Sequence, residues 1–225
     1  MLANYAVDDS LLKPYVPAHT ELDHWNGTCY ISLVGFMFMH TKLKGFHIPF
    51  HKNFEEVNLR FYVRYHDHGT WKRGVVFISE MVPKPALSFV ANTFYREHYE
   101  TRPMNHQWDL GKDELSVTYR WKKKTWHSMH VTTGIDQFPI EPGSEEEFIT
   151  EHYWGYNRYN QYKTTEYGVE HPRWEVYQTK TYTIQTDFAV VYGKPFEYMN
   201  QLTPVSVFLA EGSAIKVKGK RIITF

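Results

Sequence analysis

From Asn53 to Arg64 hydrophobic and polar positions alternate strictly: Val57, Leu59, Phe61 and Val63 fall on one side, and Glu56, Asn58, Arg60, Tyr62 and Arg64 on the other. Successive residues of a strand point to opposite faces, so this stretch predicts a β-strand with one apolar and one ionisable face. Thr28 to Met39, β-branched and aromatic after the turn pair Asn26-Gly27, predicts a second strand. Arg73 to Met81 returns from the turn His66-Asp67-His68-Gly69 as the hairpin partner of the first. Further strands are predicted around Asn105–Leu110, Glu114–Trp121, Trp126–Thr133, Glu175–Ile184, Pro204–Ala210 and Ile215–Thr224.

Helical periods are fewer. Asp8-Asp9-Ser10 caps a short helix that Pro14 and Pro17 cut off. Leu87, Val90, Ala91, Phe94 and Tyr95 recur at helical spacing, which predicts a helix over Ala86–Glu100 closed by Pro103. Ser144-Glu145-Glu146-Glu147 reads as a capping box opening a helix from Glu145 to about His152. Pro195 to Gln201 reads as a helical turn, and Lys42 to Lys52 as a loop. With no internal repeat or linker, the 225 residues are expected to form one domain, 1–225.

Composition narrows the function classes. Aromatics reach 17%, which suits strands and pocket walls. The 25 basic and 25 acidic side chains cancel, removing a general electrostatic case for nucleic acid. No apolar run approaches the roughly 18 residues of a membrane span. A lone cysteine, Cys29, and the lack of a signal-peptide pattern at Met1–Tyr5 make a cytoplasmic setting the expectation. No nucleic-acid or membrane partner is expected, and a homo-oligomer stays open.

The chemistry concentrates on the polar face of the organising strand. Glu56, Asn58 and Arg60 stand at i, i+2 and i+4, about 6.5–7 Å apart along one side. An arginine beside an amide and an acid suits recognition of a carboxylate or enolate, with Glu56 as the proton-transfer group. On spacing alone, a solvated polar face or an internal ion pair accounts for the same residues. His152 follows a short helix, where it is either an acid–base group or a dipole partner. His171 before Pro172 is read as packing. His66-Asp67-His68 offers two ligands in a turn, His127 and His130 point to opposite faces of a strand, and CxxC and HExxH are missing. No metal and no cofactor are therefore expected. Cys29, with no flanking base, is read as a small strand residue, and Arg120 to Lys124 as a solvated hairpin end.

Several stretches together resemble the YqjF-like proteins of unknown function. They are Ala3-Asn4-Tyr5 with Leu11-Leu12-Lys13-Pro14, Val34-Gly35-Phe36, Phe54 to Arg60, Gly74 to Phe77, Thr150 to Tyr156, Val169 to Pro172 and Ala210 to Ser213. The resemblance implies a family pattern that starts slightly ahead of Met1, an expectation from the alignment of these stretches alone. The family is in turn distantly similar to acetoacetate decarboxylase, a cone-shaped β-barrel with a polar interior. The resemblance implies a mainly β (α+β) fold, an acetoacetate-decarboxylase-like closed β-barrel with a few helices outside, and it turns the polar face of the organising strand inward. Glu56 then matches a barrel-lining acid. The decarboxylase places a Schiff-base lysine pair where this chain reads Thr101-Arg102-Pro103-Met104-Asn105-His106, and the later run Lys122-Lys123-Lys124 does not match. Acetoacetate decarboxylation is thereby disfavoured. Tyr99 and His106, at the place of those lysines, are expected to line the pocket, with Tyr95 and His98 framing the same junction. Trp154, in the Glu151-to-Gly155 stretch, is expected to touch the ligand. The resulting expectation is a pocket binding or transforming a small anionic or carbonyl compound by acid–base chemistry without a Schiff base, with catalytic Glu56 and His152 and binding residues Asn58, Arg60, Tyr99, His106 and Trp154. The alternative is a non-catalytic binding or sensor module.

Overall fold

The computed structural model describes residues 1–41, 53–90, 92 and 98–224. The chain opens with β1 (Leu2–Val7) and α1 (Asp9–Leu12), the latter capped by Asp8, whose carboxylate accepts from the Ser10 amide at 2.8 Å. Short β2 (Glu21–Leu22) and β3 (His24–Trp25) lead through Asn26 and Gly27, at φ 49° and 79°, into β4 (Thr28–Phe38). β5 (Phe54–Asp67) and β6 (Thr70–Val82) make the long hairpin, joined by His68 and Gly69 at φ 47° and 89°. Two left-handed residues in a two-residue loop suit the natural strand twist, so both turns fix register.

Then come α2 (Pro85–Val90), β7 (Tyr99–Thr101), β8 (Met104–Leu110), β9 (Leu115–Lys123) and β10 (Thr125–Pro139). α3 (Glu145–Thr150) precedes β11 (Trp154–Asn160), β12 (Lys163–Glu170) and β13 (Glu175–Gln185). α4 (Phe188–Tyr192), a 3₁₀ segment Lys194–Gln201, β14 (Ser206–Ala210) and β15 (Lys216–Ile223) finish the chain. The helix expected over Ala86–Glu100 is shorter: it is helical over Pro85–Val90 and already extended at Tyr99, with 91 and 93–97 outside the described residues. The loop expected over Lys42–Lys52 also lies outside them.

The strands follow one hydrogen-bonded path, β15-β12-β11-β6-β5-β4-β1-β14-β13-β10-β9-β8, with β15 and β8 at its ends. Among the described residues no ladder joins those ends, so the expected closed barrel is corrected to an open, folded sheet. Face packing, not edge pairing, closes the core. β10 loses register on β13 between Thr132 and Thr133 and again before Gln137, and such irregularities bend a strand. The β8–β9–β10 limb packs on β4 and β5. Val57, Leu59, Phe61 and Val63 share one apolar cluster with Val117, Tyr119, Trp121, Met129 and Val131. At Gly35 the approach is so close that a Cβ would sit 2.7 Å from Met129 Sδ.

The inner side of β5 is thus its apolar face. Its polar face turns the other way, under α3, where Tyr62 clusters with Phe148, Ile149, Tyr30 and Phe208. The expectation that this face lines the hollow of a barrel is corrected accordingly. It is buried all the same, with Glu56 2% and Asn58 1% exposed.

Gly74 marks the parallel junction of β6 and β11, opposite Trp154. A Cβ there would stand 2.5 Å from the Trp154 carbonyl oxygen, a backbone atom held in the ladder. Gly74→Ala should therefore lower the urea midpoint by an amount equivalent to about 1–3 kcal/mol. A midpoint equal to that of the parent would mean that the two strands separate at no cost.

Candidate functional site

α3 is fastened over the sheet at its acidic start. The Glu147 amide donates to Ser144 Oγ at 3.1 Å, while Glu147 Oε2 accepts from the Gly143 amide at 2.6 Å. The capping-box partner is therefore Gly143, one residue earlier than the pattern anticipates. Glu145 accepts from Tyr30 Oη at 3.2 Å and from Ser206 Oγ. A relay runs inward: Asn4 Nδ2 donates to Ser206 Oγ at 2.8 Å and Ser32 Oγ to Asn4 Oδ1 at 2.6 Å. Because the Ser32 proton is committed to Asn4, the Tyr62 hydroxyl, 2.7 Å away, donates to Ser32.

Beside this relay the structure brings Glu56, Asn58 and Tyr99 together. Asn58 Nδ2 donates to Glu56 Oε1 and the Tyr99 hydroxyl to Glu56 Oε2, each at 2.9 Å. Arg60 is next along the face; its Nη2 donates to the Ile149 carbonyl at 3.4 Å and its guanidinium lies 5.9 Å from the Tyr62 ring centre. Beyond Tyr62 stands His152, its ring 4.8 Å from Tyr62 and 5.0 Å from Phe148. α3 stops at Thr150, so His152 follows the helix and is not inside it.

His152 Nε2 meets Asp23 Oδ2 at 3.1 Å, and Arg73 Nε donates to the same oxygen at 2.7 Å. Burial pushes the imidazole down to about 4, against the upward pull of its bond to Asp23, so the ring is neutral at pH 7. A neutral ring facing a carboxylate donates from Nε2 and leaves Nδ1 as a bare acceptor. Burial alone would raise Asp23, but the bonds from His152 and Arg73 hold it below the usual carboxylate range. Three polar atoms on this face, Asn58 Oδ1, Arg60 Nε and His152 Nδ1, are buried and have no hydrogen-bond partner among the described residues. Buried polar atoms are normally paired, and each such orphan marks strain, an unseen water or a ligand.

The other expected residues are elsewhere. His106 binds Glu55 at 2.6 Å, and Glu55 alternates to the face opposite Glu56. Trp154 packs beneath Lys72, whose Nζ is 4.1 Å from its ring centre, next to a buried ion network rather than beside Glu56. In that network Glu166, 1% exposed, accepts from Lys72 at 3.2 Å, Arg221 at 2.6 Å and Tyr156 at 3.1 Å. His171 is stacked on Trp174 at 4.4 Å, a packing role. Lys123 is held by Glu100 at 2.8 Å and the Val191 carbonyl at 2.7 Å. Tyr95 lies outside the described residues.

Sequence reasoning missed Asp23 and Arg73. Asp23 lies 129 positions from His152, between two-residue strands that no periodicity announces. It also missed that Asp9, His24 and Cys29 share one corner. Surface depressions of about 440 Å³ beside Asp8, Tyr15 and Tyr198 and of about 250 Å³ beside Tyr182 and Met199 are not lined by Glu56. Among the described residues no helix is long and apolar enough to cross a membrane.

With fold and geometry in view, comparisons with known proteins are informative. Residues 1–214 match the DUF2071 family, described as an uncharacterised conserved protein. The chain belongs to that family. It is 29% identical over 165 residues to the uncharacterised protein YqjF of Bacillus subtilis (strain 168), a match covering 71% of this chain and 64% of the relative's length. In fold the DUF2071 chain is similar to acetoacetate decarboxylase from Legionella pneumophila (TM-score 0.55, 11% identity, 98% of this chain and 80% of that one). It is also similar to the enduracididine biosynthesis enzyme MppR complexed with pyruvate (TM-score 0.62, 10% identity, 98% and 86%). At such identities the likeness shows the fold alone. That fold holds the strands which place Glu56, Asn58 and Arg60 on one covered face.

Proposed function

We propose that this DUF2071 protein binds a small carboxylate- or carbonyl-bearing compound at the α3-covered face of β5, and processes it by acid–base chemistry without a Schiff base. The observation that carries the reading is the trio of buried, unsatisfied atoms on Asn58, Arg60 and His152. Arg60 would hold the anionic group, Asn58 orient it and Glu56 move a proton. His152, with a bare Nδ1 and Asp23 fixing its other nitrogen, stands beyond Tyr62 and would act as a base only toward the Arg60 end of the compound. Pyruvate in the complex of MppR is a compound of the same class, which supports the reading by fold-level analogy only. The chain would work as one domain, and the buried, unpaired Cys29 is in keeping with a cytoplasmic setting.

A non-catalytic binding module is the second reading. Its support is that both oxygens of Glu56 are already taken by Asn58 and Tyr99, which holds the carboxylate as a fixed acceptor.

Thermal-shift titration with pyruvate and related 2-oxo and 3-oxo acids tests the site. A binding acid raises the melting temperature as its concentration exceeds Kd. Arg60→Ala should weaken it roughly 10- to 160-fold, the equivalent of a charge-assisted hydrogen bond of about 1.5–3 kcal/mol. Glu56→Gln separates the readings: an enzyme keeps affinity and loses turnover, and a binder has no turnover to lose. No shift with any acid, or a shift indifferent to Arg60→Ala, would sink the proposal. Borohydride with bound 2-oxo acid should leave every lysine unmodified.

A further inference from the structure

Away from that face, three side chains of different elements converge at one corner. His24 on β3 and Cys29 on β4 are direct cross-strand partners. The two-residue turn Asn26–Gly27 sets this register, because residues two places before and two after such a turn face each other on the same side. β1 pairs with the far edge of β4 at the same level, Val7 opposite Cys29, so the chain leaves the sheet beside the cysteine and its next element, α1, starts with Asp9. Asp9 Oδ1 lies 2.9 Å from His24 Nε2. One ligand-type atom from each of Asp9, His24 and Cys29 falls within 4.8 Å of the other two.

From this geometry we propose that Asp9, His24 and Cys29 form a binding site for a divalent transition-metal ion, with zinc as the best-matched occupant. One thiolate, one imidazole and one carboxylate make a mixed soft and hard set, the kind that zinc accepts and that magnesium and calcium do not. Ligand atoms around a tetrahedral zinc ion, at about 2.0–2.3 Å from the metal, stand about 3.3–3.6 Å from one another. To reach that spacing the Asp9–His24 pair, 2.9 Å apart, opens by about 0.4 Å and the widest gap, within 4.8 Å, closes by about 1 Å. The carboxylate and thiolate together balance the charge of the ion, and the thiol proton leaves to solvent on binding. Cys29 forms the buried floor, while the side chains of His24 and Asp9 keep 33% and 39% of their surface exposed and give the ion a way in. With three protein ligands, the fourth position is left to water or to a further ligand, as in zinc sites that do chemistry. The depression of about 440 Å³ is lined by Asp8 and Ser10, the chain neighbours of Asp9, and by none of the three ligands themselves.

This site is independent of the proposed pocket on β5 and stands or falls separately. The test is titration of the metal-free full-length protein with Co²⁺ followed by absorption, then competition with Zn²⁺ against a chromophoric chelator. One equivalent of Co²⁺ should give visible bands of tetrahedral intensity and a near-ultraviolet thiolate-to-cobalt band. Cys29→Ser should remove the thiolate band. His24→Gln and Asp9→Asn, both on exposed side chains and checked for fold by circular dichroism, should each weaken zinc at least about 10-fold, the loss expected even for groups that only support a ligand. A cobalt spectrum without a thiolate band, or zinc affinity unchanged in His24→Gln, would overturn the assignment.

Discussion

Replacing Phe61 by alanine should lower the unfolding free energy by about 3–5 kcal/mol, seen as an earlier denaturant midpoint at an unchanged slope. Phe61 is fully buried in the cluster where β5 meets the β9–β10 limb. Trp121 and Met129 are also fully buried there, so neighbours cannot move into the space without losing contacts of their own. One residue along the chain, on the other face, Tyr62→Phe removes only the hydroxyl that donates to Ser32, at a cost of about 1 kcal/mol. A loss of about 1 kcal/mol or less for Phe61→Ala would mean that this face of β5 is not packed against β9 and β10.

The second large effect is acid sensitivity. His152 protonates near pH 4 in the folded protein and near 6.5 in the unfolded chain, so between those values the unfolded state binds more protons. Stability must then fall as pH drops through that window, by about 3 kcal/mol once pH is below 4. The groups facing the ring account for the direction. Burial dominates, Arg73 and Arg60 repel a second positive charge, and Asp23 offsets only part of this. Asp23 itself is held low, so its contribution is lost at still lower pH and steepens the far acid limb. Urea unfolding at pH 7, 5 and 4 measures the slope. His152→Gln, which has no proton to take up, should flatten it between 6.5 and 4. A parent protein equally stable at pH 7 and pH 4 would exclude a buried neutral imidazole.

How far the chain could be read ahead of its structure depended on what each strand buries. β5 was legible because its alternation is pure, and β6 followed from the turn His68–Gly69. The hairpin of β11 and β12 was not, because beside Tyr156 and Tyr167 most of the side chains it buries are polar, Asn157, Thr164, Thr165 and Glu166, and break the hydrophobic alternation. Glu166 is matched by partners far along the sequence, Lys72 and Arg221. The polar ribbon Glu56–Asn58–Arg60 was visible as a pattern, but its direction was not. Alternation separates two faces and says nothing about which one meets a second sheet and which one meets a helix. Tyr99 could be placed near Glu56 only through the resemblance, and the same step misplaced His106, since β8 reaches β5 from its opposite side. The pairing of His24 with Cys29 was available from the Asn26–Gly27 turn by counting two residues outward on each side.

The two rims of the folded sheet differ in how they meet other molecules. β15 exposes Lys216, Lys218, Lys220 and Arg221, and like charges along a rim keep an approaching strand from adding to it. β8 instead presents Trp108 and Leu110, 46% and 76% exposed, with Asp109 between them. Among the described residues Leu110 is the most exposed of the large apolar side chains, and a crowded or heated solution would begin to polymerise at this rim. Precipitation on storage should therefore respond to lysine at position 110 and hardly at all to changes along the basic rim.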